Sequence, residues 1–170
     1  APPAAFAVAL EHVTEPLELV ERAMREQLTT EAEVIAAVGD HVLASGGKRV
    51  RPALLLLAAE LCGYTGPRRV QVAAAVELLH TATLVHDDVI DEAATRRGRK
   101  SANSRWGNKT TVLIGDFLYT KSMAMALTQD NLGILRLLSD VTLRMIEGQV
   151  LEIEREADLA VREDQHIDII

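Results

Sequence analysis

The sequence is short of several things. Among its 170 residues there is one cysteine, Cys62, so no internal disulfide can form. A reducing cytoplasm fits that usage, and Cys62 itself, in the apolar run PALLLLAAELC, is expected as a small buried hydrophobe. That run is the most hydrophobic in the chain, yet it is far shorter than the ~20 apolar residues a membrane span needs, so no stable membrane insertion is expected. Positive charge is also scarce. Lys and Arg number 18 against 25 Asp and Glu, a formal charge of -7, which argues against nucleic acid or an anionic membrane surface as main partner. Any anion-binding site must therefore be local. The start, APPAAFAVALEH, lacks the basic residues of a signal peptide, and its prolines and alanines predict a loosely ordered arm over residues 1–12.

No segment shows the sustained alternation of a half-buried strand, whereas apolar residues recur at helical spacing almost throughout. The fold class is all-α, and a chain of this length with 48% hydrophobic residues is expected to make one domain. Leu17, Val20, Met24 and Leu28 form one stripe after Pro16. Thr30 and Glu33 have the spacing of a capping box before Val34, Val38 and Val42, and Gly46 and Gly47 end that helix. Pro52 opens a third helix running to about Cys62, whose apolarity all round predicts burial on every side. A long fourth helix runs from near Pro67 through VQVAAAVELLHTATLVHDDVIDEA. After a loop, TRRGRKSANSRWG, Asn108 is placed to cap the next helix. Another follows from about Asn131 to Glu156, with Leu132, Leu135, Leu138, Met145 and Ile153 inward, and REDQHIDII begins a last one.

The fourth helix carries the chemistry. His80, Leu84, Asp87 and Asp91 fall at i, i+4, i+7 and i+11, so they share one face, with Asp88 at its edge. Carboxylates a turn apart repel, and three near a helix C-terminus oppose its dipole. Something from outside should supply positive charge. A divalent cation is the natural candidate: Mg²⁺ takes one or two carboxylates and completes its octahedron with water and substrate phosphates. A solvated acidic face would account equally well for the aspartates alone. The basic residues change the balance. GGKRVRP sets Lys48, Arg49 and Arg51 where one helix ends and the next begins, so that backbone N–H groups and cationic side chains can converge on an anion. Arg96 and Arg97 follow the acidic helix at once.

In order and spacing, GGKRVRPALLLLAAELCGY, ELLHTATLVHDDVIDEAATRRGRKSAN, WGNKTTVLIGDFLY and EGQVLEIE resemble the trans-polyprenyl diphosphate synthases, from about Glu11 onward. The resemblance implies an isoprenoid-synthase-type helical bundle around a central cavity, in which isopentenyl diphosphate is condensed with an allylic diphosphate. It implies that Lys48, Arg51, His80 and Arg97 hold isopentenyl diphosphate. Asp87 and Asp91, helped by Asp88, would bind Mg²⁺ on the allylic diphosphate, which Arg96 would contact directly. It also implies a homodimer.

A growing product must run between helices beneath the aspartates. Residues four and five before Asp87 are Thr83 and Ala82, both small, where short-chain members typically carry aromatic rings. A long product is expected, with Met123 on a neighbouring helix as a deeper wall, although packing alone would also explain all three. Gly148 and Gln149 resemble a family position near the cavity. Nothing after Asp91 supplies the second aspartate-rich motif of the family, which is expected to face the first across the cavity. The sequence therefore reads as an N-terminal portion of a larger fold, and 170 residues alone are expected to have little activity. Two rivals remain: a noncatalytic helical subunit, and a terpene cyclase, against which the basic clusters and the 3% aromatic content both count.

Overall fold

A computed structural model describes residues 4–44, 47–155 and 160–169. The chain forms two compact units, Ala1–Asp130 and Asn131–Ile170. Among the described residues the first unit contains α1 (Ala4–His12), α2 (Thr14–Gln27), α3 (Glu33–Ala44), α4 (Val50–Leu61) and α5 (Arg68–Ile90). A hairpin of β1 (Thr95–Arg96) and β2 (Arg99–Lys100) follows, then α6 (Ala102–Trp106) and α7 (Asn108–Leu127). The second unit contains α8 (Leu132–Arg155) and α9 (Glu163–Ile169). No helix among the described residues is long and apolar enough to cross a membrane.

The first unit is built round α5. Ala73, Ala74 and Ala75 are all buried. Successive residues on a helix point ~100° apart, so three in a row without exposure mean that neighbours close in from several sides. Small side chains make that approach possible. The most extensive partner is α7, followed by α2 and α4. Leu78, Ala82 and Val85 of α5 continue the core with Met24 of α2, Leu56 of α4, and Ile114 and Leu118 of α7. At Gly115 the α7 backbone comes so near α5 that a Cβ there would lie 2.2 Å from His86 Nε2.

The ends of α4 and α5 are closed in the same way. After α4, the N–H groups of Gly63 and Tyr64 donate to the carbonyls of Glu60 and Ala59, with Gly63 at φ 73°. This is the paired hydrogen bonding of a Schellman motif, which needs a left-handed residue at its turn. After α5, Glu92 and Ala93 donate to Val89 and Asp88, and the left-handed position is Glu92 at φ 49°. A glycine would fit there without strain. The glutamate still ends the helix directly after Asp91.

Several expectations need correction. The segment expected as an arm is helical from Ala4, and Leu10 packs against the core. Cys62 is exposed, at the C-cap of α4 beside the exposed Leu61. Nor is α4 enclosed: it packs on α5, α2 and α1, and leaves Leu54 54% and Leu61 89% exposed. The loop after α5 contains a hairpin and a short helix. Gly107, not Asn108, is the N-cap of α7, without a side-chain cap. In the second unit Leu132, Met145 and Ile153 are exposed while Leu138 is buried. The helix that packs on α8 within that unit is α9, whose 7 residues cannot cover 24. Gly46, expected to help end α3, lies outside the described residues.

The one-sided packing of α4 is testable by denaturant titration. Leu56→Ala should cost about 2–5 kcal/mol, as for a filled core position. Leu61→Ala on the same helix should stay within about 0.5 kcal/mol of the parent. Equal losses at both positions would mean that α4 is enclosed after all.

Candidate active site

The β1–β2 hairpin turns back over the end of α5. Arg96 pairs with Arg99 across it, leaving Arg97 and Gly98 as the two central residues at φ 51° and 77°. Positive φ at both positions is what a type I′ turn demands, because its twist matches that of the strands. Asparagine or glycine would usually stand where Arg97 does. A non-glycine residue held left-handed costs roughly 1–2 kcal/mol, so the hairpin presents this arginine at some expense.

The hairpin is tied down on both sides. Arg99 donates to the Ala44 carbonyl at 3.0 Å, at the C-terminal end of α3, and His41 Nε2 lies 2.8 Å from the Lys100 carbonyl oxygen. Ser101 donates to the Ala93 carbonyl at 2.6 Å. Arg96 Nε donates to Asp88 at 2.6 Å, and Asp88 is only 4% exposed. The Asp88 backbone carbonyl accepts from Asn103 Nδ2 at 2.9 Å as well.

The segment before α4 forms the facing wall. Arg49 is the N-cap of α4, left-handed at φ 47° and ψ 36°. Its guanidinium bonds to Glu21 of α2 and, at 2.9 Å, to Glu77 of α5, which is 5% exposed. Gly47 approaches Arg97 closely, since a Cβ on it would lie 2.8 Å from Arg97 Nη1. Lys48, Arg49, Arg51, Glu77, His80 and Arg97 thus line one cavity of about 460 Å³. A smaller cavity of about 40 Å³ shares Arg49, Glu77, His80 and Arg97 and reaches Asp88 and Arg96.

The electrostatics of the larger cavity are one-sided. Four cationic side chains line it against one carboxylate. That carboxylate, Glu77, is already bonded to Arg49. Burial would lower the Arg49 pKa, but the bonds to Glu21 and Glu77 outweigh it and hold the guanidinium above its ordinary value. Among the described residues Lys48, Arg51 and Arg97 form no ion pair. Burial, and then the charge of Arg51, push the His80 pKa below its ordinary value, against the opposing pull of Glu77. His80 is therefore a neutral imidazole at pH 7.

The sequence-predicted residues fall into groups. Lys48, Arg51, His80 and Arg97, from three separate segments, share the larger cavity. The three aspartates do not form one cluster, and no group of three His, Cys, Asp or Glu side chains among the described residues is arranged to hold a metal ion. Asp88 is turned inward onto Arg96, whereas Asp87 is half-buried and Asp91 exposed at the helix end. The Asp91 N–H donates to the Asp87 carbonyl at 2.8 Å, so these two carboxylates stand one helical turn apart. Two hard oxygen donors suit Mg²⁺ held mainly through phosphate and water. Ala82 is 1% exposed and belongs to the core, Thr83 donates its hydroxyl to the His80 carbonyl at 2.8 Å, and Met123 is half-buried on α7. Gly148 and Gln149 lie on α8, in the second unit. Glu21 and Glu77 were not singled out from the sequence. A glutamate three residues before His80, at a position that α5 must bury, is the signal that marks Glu77.

Residues 32–170 match the sequence profile of polyprenyl synthetase. The chain belongs to the polyprenyl synthetase family. It is 39% identical to an octaprenyl diphosphate synthase of Escherichia coli over 151 residues, which are 89% of this chain and 47% of that protein. The crystal structure of a decaprenyl diphosphate synthase from Rhodobacter capsulatus superposes with a TM-score of 0.92 at 38% identity, covering 96% of this chain and 51% of that one. The polyprenyl synthase of Caulobacter crescentus, complexed with calcium and isoprenyl diphosphate, gives 0.92 at 33% identity, covering 95% and 49%. The chain spans about half the length of these polyprenyl synthetase relatives.

The lowered His80 pKa has a signed consequence. The unfolded chain, at 6.5, binds the proton more readily than the native one. Stability is thus unaffected by His80 above pH 6.5 and erodes as pH falls through 6.5 towards the lowered native value. His80→Gln should lose less stability than the parent between about pH 7 and pH 5. Parallel profiles in thermal denaturation would overturn the assignment.

Proposed function

We propose that this chain carries the diphosphate-binding part of a chain-elongating prenyltransferase, which condenses isopentenyl diphosphate with an allylic diphosphate into a long all-trans polyprenyl diphosphate. The observation that carries the reading is the convergence of Lys48, Arg51, His80 and Arg97 on one cavity beside an acidic helix end. A diphosphate needs several charge-assisted donors at once, and three cations without an ion pair among the described residues, with a neutral imidazole, supply them. The calcium and isoprenyl diphosphate bound to the Caulobacter crescentus relative are ligands of the kinds this reading requires.

In the reaction the allylic C–O bond breaks and its electron pair leaves with diphosphate. The double bond of isopentenyl diphosphate then attacks the allylic carbocation, and loss of a proton to the departing diphosphate restores an alkene. Lys48, Arg51 and Arg97 hold the isopentenyl diphosphate headgroup, and His80 donates a hydrogen bond as the neutral ring. Asp87 and Asp91 would hold Mg²⁺, which would supply positive charge against the leaving diphosphate. Asp88 acts through Arg96: its bond takes Nε, leaving the two Nη groups to donate to the allylic diphosphate. The protein works in the cytoplasm as a homodimer.

Asp87→Ala should lower condensation of isopentenyl and farnesyl diphosphates at least a hundredfold, roughly the effect of losing one transition-state charge partner. Circular dichroism should be unchanged. The assay belongs on this chain and on any longer form of it, and near-normal turnover in the variant would refute the assignment. A cyclic product would favour a terpene cyclase, and no product from any form would favour a noncatalytic subunit.

Product length is set beneath the aspartates, where Thr83 leaves room beside the packed Ala82 and Met123 forms a deeper wall. Thr83→Phe should shift the product distribution to shorter chains. Ala82→Phe should do the same while costing about 1–3 kcal/mol of stability, because that position is already packed. Unchanged product lengths in both variants would overturn this tunnel.

A further inference from the structure

We propose that Arg49 is a positioning residue, clamped between Glu21 and Glu77 so that Lys48 and Arg51 face a diphosphate together with His80. The proposal deepens the prenyltransferase reading and rests on it for the ligand. Four observations carry it. Arg49 is the one cation of the larger cavity with carboxylate partners among the described residues, and it has two, from different helices. Glu77 stands three residues before His80 on α5, so the bond to Arg49 sets the register of the 47–51 segment against the helix face bearing His80. Arg49 is held in the left-handed region, a conformation that persists only when its surroundings impose it. Glu77 is a buried carboxylate in a cavity otherwise suited to anions, where a free negative charge would work against binding.

The guanidinium is suited to this task in a way an ammonium is not. Its planar fork can donate in two fixed directions at once, here through Nε to Glu21 and Nη1 to Glu77. The left-handed turn at Arg49 then separates Lys48, before it, from Arg51, in the first turn of α4. Both cations line the cavity from one short segment without either being drawn into the carboxylate pair. Arg49 neutralises Glu77, and the charges of Lys48, Arg51 and Arg97 are left for the ligand.

The sign of one substitution separates positioning from simple charge. Glu77→Gln removes a negative charge from an anion cavity, so electrostatics alone would tighten the binding of inorganic diphosphate. The clamp predicts the reverse: affinity measured by titration calorimetry should fall about tenfold, in proportion to one charge-assisted bond. Arg49→Lys should fall comparably despite keeping its charge. Adding Glu77→Gln to Arg51→Ala should weaken binding little further, because the first change acts through the second residue. Backbone amide exchange over residues 48–51 should rise in Glu77→Gln without ligand. Should that variant fail to fold, Glu21→Gln, at the more exposed end of the clamp, carries the same tests. Tighter or unchanged diphosphate binding together with unchanged amide exchange would overturn the clamp. If the parent itself bound no diphosphate, the functional reading would fall, and the exchange measurement alone would decide the clamp.

Discussion

One helix has to be the centre of a hydrophobic core and, along the same turns, the wall of a charged site. α5 meets the first demand with alanines that let neighbouring helices approach and with Leu78, Ala82 and Val85 as filling. It meets the second with Glu77, His80, Asp87 and Asp88, which alternate with those core residues along the same turns. A buried carboxylate on such a helix is unfavourable unless paired, and removing a partner commonly costs 3–5 kcal/mol. Glu77 and Asp88 are both buried, and each is met by an arginine from outside α5. Those two pairs join the 47–51 segment and the hairpin to the helix. The site's walls follow from the need to neutralise the central helix.

The backbone at these junctions is strained in a consistent place. Among the described residues, Arg49, Glu92, Arg97 and Asp130 have positive φ without being glycine. Three of these four lie at the candidate site: one before α4, one ending α5 and one in the hairpin turn. Such strain persists where other contacts over-determine the conformation. Arg49 is held by two carboxylates, and the hairpin bearing Arg97 by Arg96, Arg99 and Ser101. Glycine would relieve Arg49 and Arg97 and remove two side chains that line the cavity. Gly47 shows the converse, since the Arg97 guanidinium lies where a Cβ would project.

Much of this was legible in the sequence, for particular reasons. α5 and the helix starts near Pro52 and Pro67 could be placed because proline and helical spacing act locally. The shared cavity of Lys48, Arg51, His80 and Arg97 was expected through the order of motifs, not through periodicity. What escaped depends on partners distant in sequence. Arg97-Gly98 is not an obvious type I′ pair, so the hairpin read as a loop. The exposure of Cys62 and of Leu61 depends on which helices lie beside α4. Asp88 looks like its neighbours Asp87 and Asp91 along the chain, and only the return of Arg96 sets it apart.

The same geometry explains why opposite charges so close in sequence do not cancel. Arg96 and Arg97 are adjacent, yet among the ion pairs of the described residues Arg96 is met by Asp88 of α5 and Arg97 has none. The tight turn sends Arg97 away, against Gly47 and into the cavity with Lys48 and Arg51. Lys48 and Arg51 are held on the opposite wall by a segment that Arg49 fastens to Glu21 and Glu77. Rigid attachment keeps Lys48, Arg51 and Arg97 lining one cavity, and among the described residues none of the three forms an ion pair. Charges fixed in this way need little reorganisation to meet an anion. That preorganisation lets a protein of net charge -7 keep a locally cationic cavity.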